Sequence, residues 1–179
     1  CGKTPVVMTY WNLIEQYGPD VFARDLAAAG GAGVITPDLT PDEADEWIAA
    51  TDAHGLDRIF LIAPSSTPER IAMTMAACRG WVYATSVMGV TGVRQGTSQA
   101  APVIVARARE IDPGLPVGVG LGVGNGEQAA EVGAYADAVI VGSALVRCLA
   151  SDGTDMPGDL ERLGALSAEL ADGVCRSLK

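Results

Sequence analysis

Short aliphatic runs alternate along this chain with stretches whose apolar residues recur every three to four positions. The runs at residues 6–9, 33–35, 58–62, 81–85, 117–121 and 137–141 predict β-strands. They are continuously apolar and do not alternate, the pattern of strands covered on both faces. Between them lie helical patterns. Residues 20–29 place Val21, Phe22, Leu26 and Ala29 on one face and stop at Gly30-Gly31. Residues 41–54 follow Thr40, a candidate N-cap, with Glu43 at the capping-box position. Residues 67–78 carry Pro68 at the first helical position after a Thr67 cap. Further helices are expected over 101–111, 126–135 and 143–150. A last one, over 158–178, aligns Leu160, Leu163, Leu166, Leu170 and Val174 on one stripe.

The pattern is six β/α repeats, which implies right-handed crossovers and a parallel sheet. An open doubly wound sheet and part of a (β/α)8 barrel both fit, and periodicity does not choose between them. A full barrel needs about 250 residues. With 179 residues the chain is about two units short of one. Its first residue is Cys1 and not Met, a weak sign that an upstream segment is missing.

Composition narrows the function classes. Hydrophobic residues make up 49% of the chain and glycines number 22, yet no apolar run is long enough for a membrane span. The formal net charge is -10, lysine occurs only at Lys3 and Lys179, and the arginines are scattered, which argues against nucleic acid and anionic membranes as partners. Cys1, Cys78, Cys148 and Cys175 lack CxxC spacing and read as reduced structural thiols of a cytoplasmic protein. With a single histidine, His54, no metal site is expected.

Three stretches could carry chemistry. Gly118-Val119-Gly120-Leu121-Gly122-Val123-Gly124-Asn125-Gly126 begins as a strand and ends at a helix start. Its glycines let backbone N–H groups approach an anion beside a positive helix end, or simply make a tight turn against a crowded neighbour. Val139-Ile140-Val141-Gly142-Ser143-Ala144 runs a strand straight into a helix. Gly142 permits close approach there, and Ser143 offers an N–H and a hydroxyl, or an ordinary N-cap. Donor clusters after consecutive late strands match the phosphate site of many barrels. Ser86-Val87-Met88-Gly89-Val90-Thr91-Gly92 opens a long polar loop that reads as a binding loop or lid, or as a functionless connection. Only Arg94 lies near any of these stretches, so an anion here would be held by backbone dipoles and hydroxyls.

Other chemistries lack candidates. No lysine lies near a later strand end for Schiff-base catalysis, and no Ser/His/Asp set is present. His54 follows a helix in a His-Gly pair and reads as a surface residue. Strand-end acids reduce to Asp38, which reads as a ligand of backbone N–H groups more readily than as a substrate contact. Tyr10, Trp11, Ile35, Leu61, Tyr83, Leu121 and Ile140 fall at or near strand C-terminal ends, where barrel sites lie; they could line an apolar pocket or simply pack the core.

The segments Val6-Val7-Met8-Thr9-Tyr10-Trp11-Asn12, Ile35-Thr36-Pro37-Asp38-Leu39, Ala63-Pro64-Ser65-Ser66, Tyr83-Ala84-Thr85-Ser86-Val87-Met88-Gly89-Val90-Thr91-Gly92, Val119-Gly120-Leu121-Gly122-Val123 and Ile140-Val141-Gly142-Ser143-Ala144 resemble, in order and spacing, the tryptophan synthase alpha chain family in its actinobacterial form. The resemblance implies a (β/α)8 TIM barrel of which the last six β/α units are present, with residues 1–179 as a single partial domain. It implies a lyase of tryptophan biosynthesis that cleaves indole-3-glycerol phosphate to indole and glyceraldehyde 3-phosphate. It also implies a cytoplasmic heterotetramer in which indole passes through a tunnel to a beta subunit carrying pyridoxal phosphate, with no cofactor in this chain.

Carried over by motif, Gly92, Gly122, Gly142 and Ser143 would bind phosphate. Tyr10, Ile35, Leu61, Tyr83, Leu121 and Ile140 would surround indole, and Thr91 would belong to the loop that closes the site. The family's two catalytic carboxylates precede the segment that opens this chain and have no counterpart in it. The chain alone is therefore expected to bind poorly and catalyse nothing measurable. Six strands would also leave unpaired edges near residues 6–9 and 137–141. A different phosphate-binding barrel enzyme, and a non-catalytic phosphate-binding module, are the alternatives.

Overall fold

The computed structural model describes residues 4–85, 100–120, 122–150 and 155–177. They fall into two compact units: one of residues 1–83 with 107–116, the other of 84–106 with 117–179.

The first unit opens with β1 (Val6–Met8), followed by α1 (Trp11–Tyr17), α2 (Pro19–Ala28) and β2 (Gly33–Ile35). After a 3₁₀ turn at Pro41–Glu43 come α3 (Asp45–His54), β3 (Asp57–Ile59), β4 (Leu61–Ile62) and α4 (Pro68–Ala77). Strands β1, β2 and β3 form a parallel sheet in chain order, with Met8 opposite Ile35 and Ile35 opposite Ile59. Its helix-covered core gathers Ile14, Ala23, Val34, Leu39, Trp47, Leu56 and Phe60, with Trp11 and Phe22 packed against it. The Trp11 and Phe22 rings each lie 6.1 Å from Trp47.

Several elements differ from the expectation. The 58–62 run divides at Phe60, which is fully buried: residues 57–59 pair with β2, whereas the Phe60 carbonyl accepts from the Tyr83 amide at 3.1 Å. Thr67 caps α4 as expected, its hydroxyl accepting from the Arg70 amide at 3.3 Å. Thr40 makes no such cap. Its Oγ1 lies 3.4 Å from Glu43 Oε2, residues 41–43 take the tighter 3₁₀ form, and α3 begins only at Asp45. Helix α1 has no local capping signal; Gly18, at φ +95°, separates it from α2.

At the start of β3, Arg58 ties three elements together. Its Nε donates to the Ala77 carbonyl at 2.6 Å and its Nη1 to Thr51 Oγ1 at 3.2 Å and Asp52 Oδ1 at 2.5 Å. That guanidinium holds the Asp52 carboxyl below the usual carboxylate range.

Helix α5 (Ala100–Ile111), reached after β5 (Val82–Thr85), contributes residues to both units. The second unit contains β6 (Val117–Gly120), α6 (Gly126–Gly133), β7 (Ala138–Ile140), α7 (Ser143–Cys148) and α8 (Met156–Ser177). Strands β6 and β7 are parallel, Gly120 facing Ile140. Helices α6 and α8 cross at glycines. A Cβ on Gly126 would come within 2.6 Å of the Glu169 carbonyl, and one on Gly173 would strike the Gly126 carbonyl.

The expectation that every strand is covered on both faces fails at the two ends. Val6 and Met8 in β1 and Ala138 in β7 are exposed. Among the described residues β1 pairs only with β2 and β7 only with β6, the two edges anticipated from the pattern. No helix among the described residues is long and apolar enough to cross a membrane.

Candidate functional site

In the first unit the candidate pocket residues lie in strands or just after them: Ile35 ends β2, Tyr10 follows β1, Leu61 opens β4 and Tyr83 is inside β5. Thr9 donates its amide to the Ile35 carbonyl at 3.1 Å, joining the ends of β1 and β2. Tyr10, the next residue, is extended (φ -74°, ψ 148°) and 63% exposed. Ile35 closes β2 and is buried, and Leu61 in β4 is half-buried. Tyr83 in β5 is half-buried beside Trp81, ring centroids 6.0 Å apart, and burial pushes its phenol above the ordinary tyrosine range.

Asp38 takes the structural role, with a partner the sequence did not show. Its carboxylate accepts the Trp11 amide, at 2.9 Å to Oδ1 and 3.1 Å to Oδ2. The charge thus sits at the start of α1 and replaces the missing local cap. His54 ends α3, with Nε2 2.9 Å from Asp20 Oδ1.

The loop at 63–66 is a turn in which Ser66 donates its amide to the Ala63 carbonyl at 2.9 Å. The Ala63 amide donates to Ser66 Oγ at 3.2 Å. Arg107 donates to the Pro64 carbonyl at 3.3 Å and the Ser66 carbonyl at 2.9 Å. Sequence reading missed Arg107, because nothing local to a helical arginine gives a sign of a partner 41 residues away.

In the second unit the glycine stretch separates into roles. Gly122 has φ +65°, the left-handed region that favours glycine. Gly124 donates its amide to Gln128 Oε1 at 2.8 Å, and Asn125 caps α6 by accepting from the Gln128 amide at 2.9 Å. The Gly126 amide donates to Glu169 Oε1 at 2.8 Å. The start of α6 therefore spends these donors internally, so anion binding in this stretch would fall to the turn around Gly122.

At the end of β7, Gly142 is exposed, and a Cβ added there would meet nothing within 4 Å. The N-cap of α7 is Gly142, and Ser143 is its first helical residue. Ser143 is therefore not the N-cap that one reading allowed; its N–H belongs to the first turn, where Leu145 donates to the Gly142 carbonyl at 3.0 Å. Ile140 closes β7, half-buried. Thr91, Gly92 and Leu121 lie outside the described residues.

Parallel β/α units with glycine turns leading out of β6 and β7 fit part of a (β/α)8 barrel, and the comparisons below give that class. Sequence comparison gives the family: the tryptophan synthase alpha chain profile matches residues 2–175, and the chain belongs to that family. It is 65% identical over 175 residues to the tryptophan synthase alpha chain of Acidothermus cellulolyticus, covering 98% of this chain and 64% of that one. A Mycobacterium ulcerans relative is 64% identical over 173 residues, covering 97% of this chain and 61% of its own. The chain thus spans under two thirds of the length of these curated relatives.

Among solved structures, Mycobacterium tuberculosis tryptophan synthase superposes with a TM-score of 0.87 at 59% identity, over 97% of this chain and 63% of that one. The tryptophan synthase α2β2 complex of Pyrococcus furiosus gives 0.78 at 29% identity, over 94% and 66%.

Proposed function

We propose that this protein acts as a tryptophan synthase alpha chain, a lyase that cleaves indole-3-glycerol phosphate to indole and glyceraldehyde 3-phosphate in tryptophan biosynthesis. Its 179 residues act as one partial barrel domain and supply the substrate-holding side of the site. Gly92, Gly122, Gly142 and Ser143 hold the phosphate, and Tyr10, Ile35, Leu61, Tyr83, Leu121 and Ile140 surround the indole. Thr91 supports the closing loop. The partner is a beta subunit bearing pyridoxal phosphate, in a cytoplasmic α2β2 assembly.

The observation that carries this reading is the pair of glycine turns at consecutive strand ends in a chain of this family: Gly122 in the left-handed region and Gly142 facing open space. Backbone amides suit a phosphate in a protein of net charge -10, because they add no titrating group and need no lysine. The acid–base pair that the cleavage requires is not among these residues. Asp38, the one strand-end acid that sequence reading singled out, has its carboxylate on the Trp11 amide.

Gly142→Asp tests the phosphate assignment in the longest natural form of the polypeptide that carries this sequence. The new side chain enters open space, so the fold is retained, and its charge opposes the phosphate. The KM for indole-3-glycerol phosphate should rise roughly tenfold or more. An unchanged KM would remove Gly142 from the site.

A further inference from the structure

The candidate pocket residue Tyr10 is 63% exposed, so core packing does not set the direction of its side chain. Its backbone, in contrast, is held on both sides. The preceding Thr9 amide donates to the Ile35 carbonyl at 3.1 Å, and the following Trp11 amide donates to both oxygens of Asp38, at 2.9 and 3.1 Å. Beyond it the Trp11 ring sits edge-on against the fully buried Trp47, at 6.1 Å.

We propose that Asp38 is a positioning residue for Tyr10, and through it for the aromatic wall of the indole pocket. The inference rests on the functional reading above. Asp38 follows Ile35 by three residues, so a single segment leaving β2 supplies one apolar pocket residue and the carboxylate that fixes another. Helix α1 is seven residues long and Tyr10 provides no side-chain cap, so no local group would replace the carboxylate. A charged acceptor on a backbone amide makes a short, strong bond, and a negative group suits a helix start. Without it, the first turn of α1 opens to water and Tyr10 regains backbone freedom. Its ring then samples directions that do not meet the substrate.

Tyr10 would make the same apolar contact with the indole ring before and during cleavage of the bond at its C3, and takes no proton itself. Losing its orientation therefore weakens substrate and transition state alike, which raises KM and spares kcat. The test is indole release by the longest natural form of the polypeptide, in a cycle of Asp38→Ala, Tyr10→Ala and the double variant. Asp38→Ala should raise the KM for indole-3-glycerol phosphate about fivefold or more while kcat stays within about twofold. Asp38→Asn, which keeps one acceptor oxygen, should restore most of the affinity. On the Tyr10→Ala background, Asp38→Ala should add no further rise.

Additive effects of the two substitutions, or a fall in kcat and folded yield at constant KM, would overturn the positioning role and make Asp38 a fold residue only. Asp38→Glu moves the carboxylate by one methylene on an exposed surface. It serves the same cycle if Asp38→Ala does not fold, with the same dependence on Tyr10 expected. Absence of indole release by the unsubstituted protein would instead overturn the functional reading, and this inference with it.

Discussion

Gly122 and Gly142 stand at the ends of successive strands, yet they need glycine for different reasons. At Gly122 the backbone itself demands it: φ is +65°, and a side chain there costs about 1–2 kcal/mol. At Gly142 the backbone has negative φ and an added Cβ meets nothing within 4 Å. Gly122→Ala should therefore lower the urea midpoint, and Gly142→Ala should leave it nearly unchanged. Equal losses at both would contradict these two descriptions. A cysteine pair gives a second contrast at this scale. Burial pushes the Cys78 thiol up to about 11, whereas Cys175 is exposed. Near pH 8 a thiol reagent should label Cys175 in the native protein and reach Cys78 only after denaturation, since the thiolate is the reactive form.

At the scale of elements, the crossing of α6 and α8 depends on absent side chains. Gly173→Ala would drive a methyl into the Gly126 carbonyl and should destabilise by about 1–3 kcal/mol. Gly164, in the same helix, has open space around it, so Gly164→Ala should stabilise by up to about 1 kcal/mol. Opposite shifts of the two denaturation midpoints are expected; shifts of the same sign would mean the helices do not cross as described.

The Arg58 clasp adds a pH dependence. Asp52 has a lowered folded-state pKa, so its contribution is present above the unfolded carboxylate value of about 4 and is lost as pH falls through the folded value. Asp52 is about half-exposed, which makes the effect small. Acid unfolding of Asp52→Asn should lack that part of the transition.

Most helices were legible because their periodicity and caps are local, as Thr67 before α4 shows. Helix α1 was not. Its cap comes from Asp38, 27 residues away, and no reading of residues 11–17 alone supplies it. The split of the 58–62 run was hidden for a related reason: Phe60 changes backbone partner within one uniformly apolar stretch.

For the whole molecule, the β/α alternation and the sheet edges at β1 and β7 could be read from the chain, and so could the presence of a turn at Gly122; the division into two sheets, which also end at β3 and β4 among the described residues, could not. Which donors remain for a ligand could not. Nothing in Gly124-Asn125-Gly126 announces that Glu169 and Gln128 take two of its amides. The edges have a consequence of their own. Val6 and Met8 are exposed on a strand paired on one side only among the described residues, which favours association through β1. Met8→Lys should shift the sedimentation profile of the 179-residue polypeptide toward the monomer; an unchanged profile would rule out β1 as the contact.

On the proposed function the 179 residues hold the substrate but do not themselves supply the acid–base pair of the cleavage. The most direct measurement is indole release from indole-3-glycerol phosphate by the 179-residue polypeptide, its folding checked by circular dichroism, beside the full-length Acidothermus cellulolyticus alpha chain. No turnover by the folded polypeptide, against ready release by the relative, is the expected result. Turnover by the 179 residues at a rate comparable to the relative's would contradict the account.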